Sequence, residues 1–393
     1  MTDAIVLVDG ARTPVGSFGG AFASVPAHTL GALAVSAAVG RAGVDISEVD
    51  EFVLGCVGQV GPDAFIARRV ALAAGAAESS TAFAVNRLCG SGLQAIATAA
   101  DELNRGDSDI VVAGGVENMT RQPFLDYAAR DGYRLGHRQQ IDGTLSLVTD
   151  PWGDYPMGRT AENVAERYGI SRAEQDAFAA ESQRKARAAM ESGAVAGEIV
   201  PVEVAQRRQT ATVDTDEHPR ETNLEALSRL RAAFSEQGTV TAGNSSGIND
   251  GAAAIVMMRA STAAERGLSV LGELVAFSKV GLAPEVMGYA PVAAIARVLE
   301  RAGLGVSDID WVELNEAFAA QAVAVQRDAG LIADRVNPLG GAIAWGHPVG
   351  ATGSILALRA LHGLRRTGGE HAMVSMCIGG GQGVAAVFRR SQA

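Results

Sequence analysis

The chain has 393 residues, 48% of them apolar and 20% charged, the profile of a globular protein with more than one core. Its formal net charge of −11 excludes a general affinity for nucleic acid or anionic membrane, so an anionic ligand would need a local basic patch. Three widely spaced cysteines, Cys56, Cys89 and Cys377, form no disulfide framework, and a reducing, cytoplasmic setting is expected.

The first segment, MTDAIVLVDGARTPVG, has no basic leader region, and Asp3 and Asp9 interrupt its apolar run; it predicts a strand rather than a signal peptide. No stretch reaches the roughly 18 apolar residues of a membrane span. Residues 41–56 (RAGVDISEVDEFVLGC) predict a helix end closed by glycine, then a loop and a buried strand. Residues 85–96 (VNRLCGSGLQAI) set Cys89 between a strand and the glycine-rich start of a helix. Unpaired N–H groups and the helix dipole there predict a lowered thiol pKa, and the thiolate is the reactive form. A free cysteine is as often a small core residue, and these residues alone leave the two readings even. Residues 109–115 (DIVVAGG) predict a further buried strand.

The pattern then repeats. Residues 301–316 (RAGLGVSDIDWVELNE) align without a gap to residues 41–56, at an offset of 260. CGSG at 89–92 falls opposite GATG at 350–353, the strand at 109–115 opposite 372–381, and GAAAIV at 251–256 opposite GVAAVF at 383–388. The last two strands are nearly continuous in the second copy and about 130 residues apart in the first. We therefore expect an α/β fold of two duplicated halves, residues 1–116 with 250–270 and residues 271–393, plus an inserted loop domain at 117–249. The insertion is polar and predicts helices at 160–168 and 171–192, the second opened by the capping-box spacing of Ser171 and Glu174. Strands alternating with helices predict parallel α/β layers, with a site shared by the glycine-rich loops at the strand ends.

Four segments carry chemistry: CGSG at Cys89, NEAF at Asn315–Phe318, WGHPVGATG at 345–353 and CIGGGQG at 377–383. His347 precedes a helix as Cys89 does in the other half, so the repeat allows the two to meet across a pseudo-two-fold axis. An imidazole titrates in the range needed to activate a thiol. Gly379, Gly380 and Gly381 allow backbone N–H groups to converge on a developing oxyanion. There is no strand–GxGxxG–helix unit, no P-loop and no CxxC or HxxxH spacing, so neither a dinucleotide nor a metal is expected.

In order, ARTPVGSFGG, NRLCGSG, AGGVENM, MGRTAENVA, TAGNSSGINDGAA, NEAFAAQA, GHPVGATG and CIGGGQG resemble the thiolase superfamily along essentially the whole chain. Within it the likeness is to bacterial acetyl-CoA acetyltransferases and related short-chain β-ketothiolases. The resemblance implies layered α-β-α-β-α halves and a ping-pong condensation of two acyl-CoA molecules to a 3-ketoacyl-CoA and CoA, or the reverse thiolysis. It implies no cofactor, coenzyme A thioesters being the substrates. Cys89 would carry the acyl group, His347 would activate it, and Cys377 would move the α-proton of the second acyl-CoA. Asn315, through a water, would form one oxyanion hole with His347, and the N–H groups of Cys89 and Gly379 the other. Arg220 would meet the nucleotide end of coenzyme A and Ser246 its pantetheine arm, with Met157, Phe234, Ala242, Ala317 and Phe318 lining the channel.

Pro156 departs from the histidine usual before Met-Gly in the biosynthetic thiolases this chain resembles. It puts a strict preference for acetoacetyl-CoA in doubt. Trp345 stands where smaller apolar residues are common, either reshaping the pocket or filling core. The resemblance further implies a homo-oligomer, a dimer or dimer of dimers (homotetramer), with residues 125–147 as an assembly loop. Alternatives are a medium- or long-chain degradative 3-ketoacyl-CoA thiolase, a decarboxylating ketosynthase and a non-catalytic acyl-CoA-binding scaffold.

Overall fold

The computed structural model describes residues 3–205 and 209–391. The first half contributes Ile5–Arg12 (β1), Glu51–Gly55 (β2), Thr81–Val85 (β3), Ile110–Asn118 (β4) and Asn249–Arg259 (β5). The second contributes Gly272–Gly281 (β6), Trp311–Leu314 (β7), His371–Ile378 (β8) and Gln382–Arg390 (β9). They lie in the order β7-β8-β9-β6-β1-β5-β4-β2-β3, with Gly16–Ser17 beside β5 as a tenth strand. Each half follows the same path: β1-β5-β4-β2-β3 is matched by β6-β9-β8-β7, and Val336 lies beside Val312 of β7 where a fifth strand would run. The halves join where Val6 and Leu7 of β1 face Glu273 and Gly272 of β6.

The expected parallel layers are corrected by this topology. Only β2–β3, β2–β4 and β7–β8 pair in parallel, while β1–β5, β4–β5, β6–β9 and β8–β9 are antiparallel. The cause is visible in CIGGGQG. β8 ends at Ile378 and β9 starts at Gln382, and Gly380 (φ 82°) and Gly381 (φ 78°) reverse the chain too sharply for a crossover. The duplicated first half must obey the same pairing even though its β4 and β5 are far apart in sequence.

Alternation along the strands separates the layers. On β2, Phe52 and Leu54 face one core and Val53 another; on β4, Val112 and Val111 divide in the same way. The outer face of the first half is covered by Ala27–Ala42 (α1). The outer face of the second is covered by Ala290–Ala302 (α3), against Val312, Met373 and Val387. Between them Ser91–Arg105 (α2) and Thr352–Thr367 (α4) share one core through Leu93, Ile96, Leu103, Leu356, Leu358 and Leu361. The repeated RAG glycines, Gly43 and Gly303, end α1 and α3 at the same φ of 68°.

The two central helices cross at their first turns. A Cβ on Gly92 would lie 2.8 Å from the Ser354 nitrogen, and one on Gly353 would lie 2.2 Å from the Leu93 nitrogen. Glycine at these equivalent positions of CGSG and GATG lets the two loops that precede the helices approach each other.

The inserted segment carries helices Gly158–Tyr168 and Arg172–Glu191, the latter opened by the Ser171–Glu174 capping box. β4 runs on to Asn118 and β5 begins at Asn249, still paired as Asp250 with Asn118. Buried ion pairs of Arg12 with Glu198 (2.9 Å) and Asp216 (2.7 Å) pin the insertion to β1. Phe124–Leu125 pairs with Ile141–Asp142, and between them Tyr127, Tyr133 and Leu135 are exposed.

Candidate active site

Three loops converge where α2 and α4 begin. In the first, β3 gives way to a tight turn at Leu88, whose φ of 46° is a left-handed conformation that a leucine adopts only under constraint. Ser91 supplies the constraint: its hydroxyl accepts the Arg87 N–H (2.9 Å) and donates to the Leu88 carbonyl (2.6 Å). The turn presents the half-buried Cys89, with the N–H groups of Gly379 and of Cys89 itself directed at its sulfur.

The second loop holds His347, 5% exposed. Its N–H donates to Asn249 Oδ1 (2.9 Å). The Thr352 hydroxyl donates to the Pro348 carbonyl (2.9 Å), so its oxygen accepts from His347 Nδ1–H at 2.7 Å. That leaves Nε2 as the basic nitrogen. Asn315, at the end of β7, places its amide nitrogen 3.5 Å from Nε2, while its own carbonyl is held by Gln321 Nε2 (3.2 Å). Asn315 Oδ1 is buried and, among the described residues, has no hydrogen-bond partner.

The third loop is the β8–β9 turn. Cys377 is 1% exposed, paired with Gly383 across the hairpin and close enough to Cys89 for that sulfur to disfavour its ionisation. Gly379 faces inward, and a Cβ there would meet Met157 Cε at 3.0 Å.

The lowered thiol pKa expected at Cys89 is overturned. Burial pushes the thiol up to about 11, against the opposing N–H groups of Gly379 and Cys89. Burial, with the Cys89 sulfur adding to it, pushes Cys377 higher still, and burial pushes His347 down to about 4. The helix end is outweighed by loss of water, and at neutral pH the three groups rest as thiol, imidazole and thiol.

Met157, Phe234, Ala317 and Phe318 share one apolar cluster with Cys377, and the Phe234 and Phe318 rings meet edge to face at 6.1 Å. Ser246 donates its N–H to the Ala317 carbonyl (3.0 Å). The exposed Arg220 donates to the Ala242 carbonyl (3.1 Å). These residues grade from buried and apolar at Cys377 to exposed and cationic at Arg220. Pro156 is exposed in a two-residue strand opposite Thr149, and Trp345 is core: its Nε1 donates to the Leu339 and Gly340 carbonyls and its ring lies 5.0 Å from the Arg359 guanidinium. Ser91, Thr352, Asn249 and Gln321 were not read as site residues. The visible cue is the repeat, which sets Ser91 and Thr352 opposite each other. Among the described residues no helix is long and apolar enough to cross a membrane, and no three ligating side chains gather as a metal site.

A turn bearing one thiol, a buried imidazole and a second thiol on a duplicated α/β scaffold are the groups an acyltransferase needs to carry an acyl group as a thioester. The chain belongs to the thiolase family: residues 5–261 match the family's N-terminal domain and residues 268–390 its C-terminal domain. It is 49% identical to the Beta-ketothiolase BktB of Cupriavidus necator, over 99% of this chain and 100% of that protein. The crystal structure of the Bacillus anthracis acetyl-CoA acetyltransferase superposes with a TM-score of 0.98 at 41% identity, covering 99% of both chains. Human mitochondrial 3-ketoacyl-CoA thiolase in complex with CoA superposes with a TM-score of 0.95 at 38% identity, covering 99% of this chain and 98% of that one.

Proposed function

We propose that this thiolase is an acetyl-CoA C-acetyltransferase, which condenses two acetyl-CoA to acetoacetyl-CoA and CoA and also runs the reverse thiolysis. The observation that supports the reading is the meeting of the three separate loops that carry Cys89, His347 and Cys377. His347 Nε2 takes the Cys89 proton as the sulfur attacks the thioester carbonyl carbon. The C–S bond to coenzyme A then breaks, Cys377 protonates the departing thiolate, and acetyl remains on Cys89. Acetylation keeps the neighbouring sulfur from ionising, and a charge there would disfavour a thiolate at Cys377. That thiolate removes the α-proton of the second acetyl-CoA, the enolate attacks acetyl-Cys89, and the released Cys89 recovers its proton from His347.

Two oxyanions need separate donors. The N–H groups of Cys89 and Gly379 already point at the nucleophile, which suits the tetrahedral intermediate. Asn315 Oδ1, buried without a partner among the described residues, suits a water that would serve the enolate together with His347. Arg220 and Ser246 would take the nucleotide and pantetheine ends of coenzyme A, with Met157, Phe234, Ala242, Ala317 and Phe318 between. Residues 117–249 thus form the coenzyme A-binding domain in this reading, and the enzyme works in the cytoplasm as a dimer or dimer of dimers. A ketosynthase would need histidine at position 377 and a scaffold would lack a catalytic side chain; the chain has neither feature.

The test is thiolysis. Absorbance of the magnesium enolate of acetoacetyl-CoA falls on addition of coenzyme A if the reading holds, and a flat trace with short and medium chains overturns it.

A further inference from the structure

AGGVENM contains a buried carboxylate that the reaction does not use. Glu117 is fully buried near the end of β4, and both oxygens are engaged. Oε2 accepts N–H bonds from Val57 (3.0 Å) and from Gly350 (3.0 Å). Oε1 accepts from Gly58 (2.9 Å) and lies 3.8 Å from the Cys56 sulfur. Val57 and Gly58 follow β2 in the first half, whereas Gly350 belongs to the second, three residues after His347 and two before Thr352.

We propose that Glu117 is a positioning residue, whose carboxylate clamps the His347 loop to the half of the molecule that carries Cys89. The clamp closes on a junction with little slack. Cβ atoms on Gly115, Gly55 and Gly92 would lie 2.1, 2.6 and 3.0 Å from the Gly350 carbonyl oxygen. A Cβ on Gly350 would lie 2.7 Å from Glu117 Oε2 and 2.9 Å from the Cys56 Cα. Packing alone sets the closeness of such a junction but not its direction; two N–H bonds from opposite halves to one oxygen set both. Burial pushes the carboxyl up to about 7 and, among the described residues, no lysine or arginine is paired with it, so the three N–H groups are what offset its burial. Its charge also raises the Cys89 thiol, and Cys377 is the further titratable group beside that sulfur. The inference rests on reading Cys89 and His347 as the reacting pair.

The test uses the full-length enzyme with Glu117→Gln, Glu117→Asp and, as a control, Cys56→Ala, following kcat, KM and the pH profile of Cys89 alkylation by iodoacetamide. Glu117→Gln turns an NH2 group toward N–H donors, and kcat falls by about tenfold to a hundredfold, the cost of roughly an ångström of misplacement. KM changes by less than about threefold, since no proposed substrate contact touches the carboxylate. The alkylation midpoint moves to lower pH, because a negative charge has been removed. Glu117→Asp keeps the charge but cannot reach both loops, so kcat falls while the midpoint stays, and Cys56→Ala leaves both unchanged. A folded Glu117→Gln enzyme with unaltered kcat, or with an unmoved midpoint and KM rising in step with the loss of kcat, overturns the proposal. If unmodified enzyme shows no selective alkylation at Cys89, it is the reading of the reacting pair that fails. Should neither Glu117 variant fold, hydrogen exchange on the unmodified enzyme decides. Common protection of Val57, Gly58 and Gly350 supports the clamp, and independent exchange of Gly350 overturns it.

Discussion

Thr352 fixes the tautomer of His347: its hydroxyl proton is spent on the Pro348 carbonyl, so its oxygen accepts Nδ1–H at 2.7 Å. The nitrogen facing Asn315 therefore carries the lone pair. Thr352→Val keeps the shape and removes the acceptor. We predict a kcat lower by about tenfold to a hundredfold, with Thr352→Ser close to the parent. Imidazole 15N shifts in histidine-labelled protein report the tautomer directly, and a His347 signal unchanged in Thr352→Val contradicts the assignment.

The same burial makes His347 a stability switch. Its folded pKa of about 4 lies below the ordinary 6.5, so the unfolded chain takes up the proton first. The neutral imidazole is tolerated fully above pH 6.5, and stability is lost as pH falls from 6.5 toward 4. His347→Gln lacks this term. The stability of the parent relative to His347→Gln should fall by about 2 kcal/mol between pH 7 and pH 5, measured by urea unfolding at each pH. A constant gap contradicts a depressed His347.

Ser91 holds Leu88 in its left-handed conformation. Ser91→Ala leaves the Arg87 N–H without its partner and should cost about 1–3 kcal/mol of stability. Cys89 acylation should slow at the same time because the turn relaxes. Rapid-quench acylation with acetyl-CoA checks the second effect; loss of stability with unaltered acylation means that the turn does not depend on this serine.

Trp345 belongs to the core, so Trp345→Phe should lose about 1–3 kcal/mol through its two Nε1 hydrogen bonds and the Arg359 contact. The ratio of kcat/KM between acetoacetyl-CoA and longer 3-ketoacyl-CoA substrates should not change. A shifted ratio places Trp345 in the pocket.

The duplication was legible because two copies of one unit carry the same glycine caps, seen in Gly43 and Gly303, and the same small residues at the helix crossing, Gly92 and Gly353. Strand direction was less so. Alternating strands and helices look alike in parallel and mixed sheets, and the consecutive glycines at Gly379–Gly381 suit an oxyanion hole and a sharp turn equally well. At the site, Cys89, His347 and Cys377 stand in distinctive motifs. Asn249 and Thr352 act through geometry alone: Asn249 heads an ordinary buried strand, and Thr352 looks like a residue in the first turn of a helix. The thiol's pKa could not be read from its neighbours along the chain. Burial is contributed by Leu147, Val148 and Ile248 from the insertion and Val349 from the other half, and it exceeds the effect of the helix end.

The account depends on a division of labour between two adjacent sulfurs. The direct test is Cys377→Ser incubated with labelled acetyl-CoA, followed by mapping of the bound acetyl group and by turnover of acetoacetyl-CoA. The account predicts acetyl on Cys89 at near-parental stoichiometry with condensation and thiolysis reduced by at least about a hundredfold. Loss of acetylation and turnover in equal measure, or acetyl found on Cys56, would contradict it.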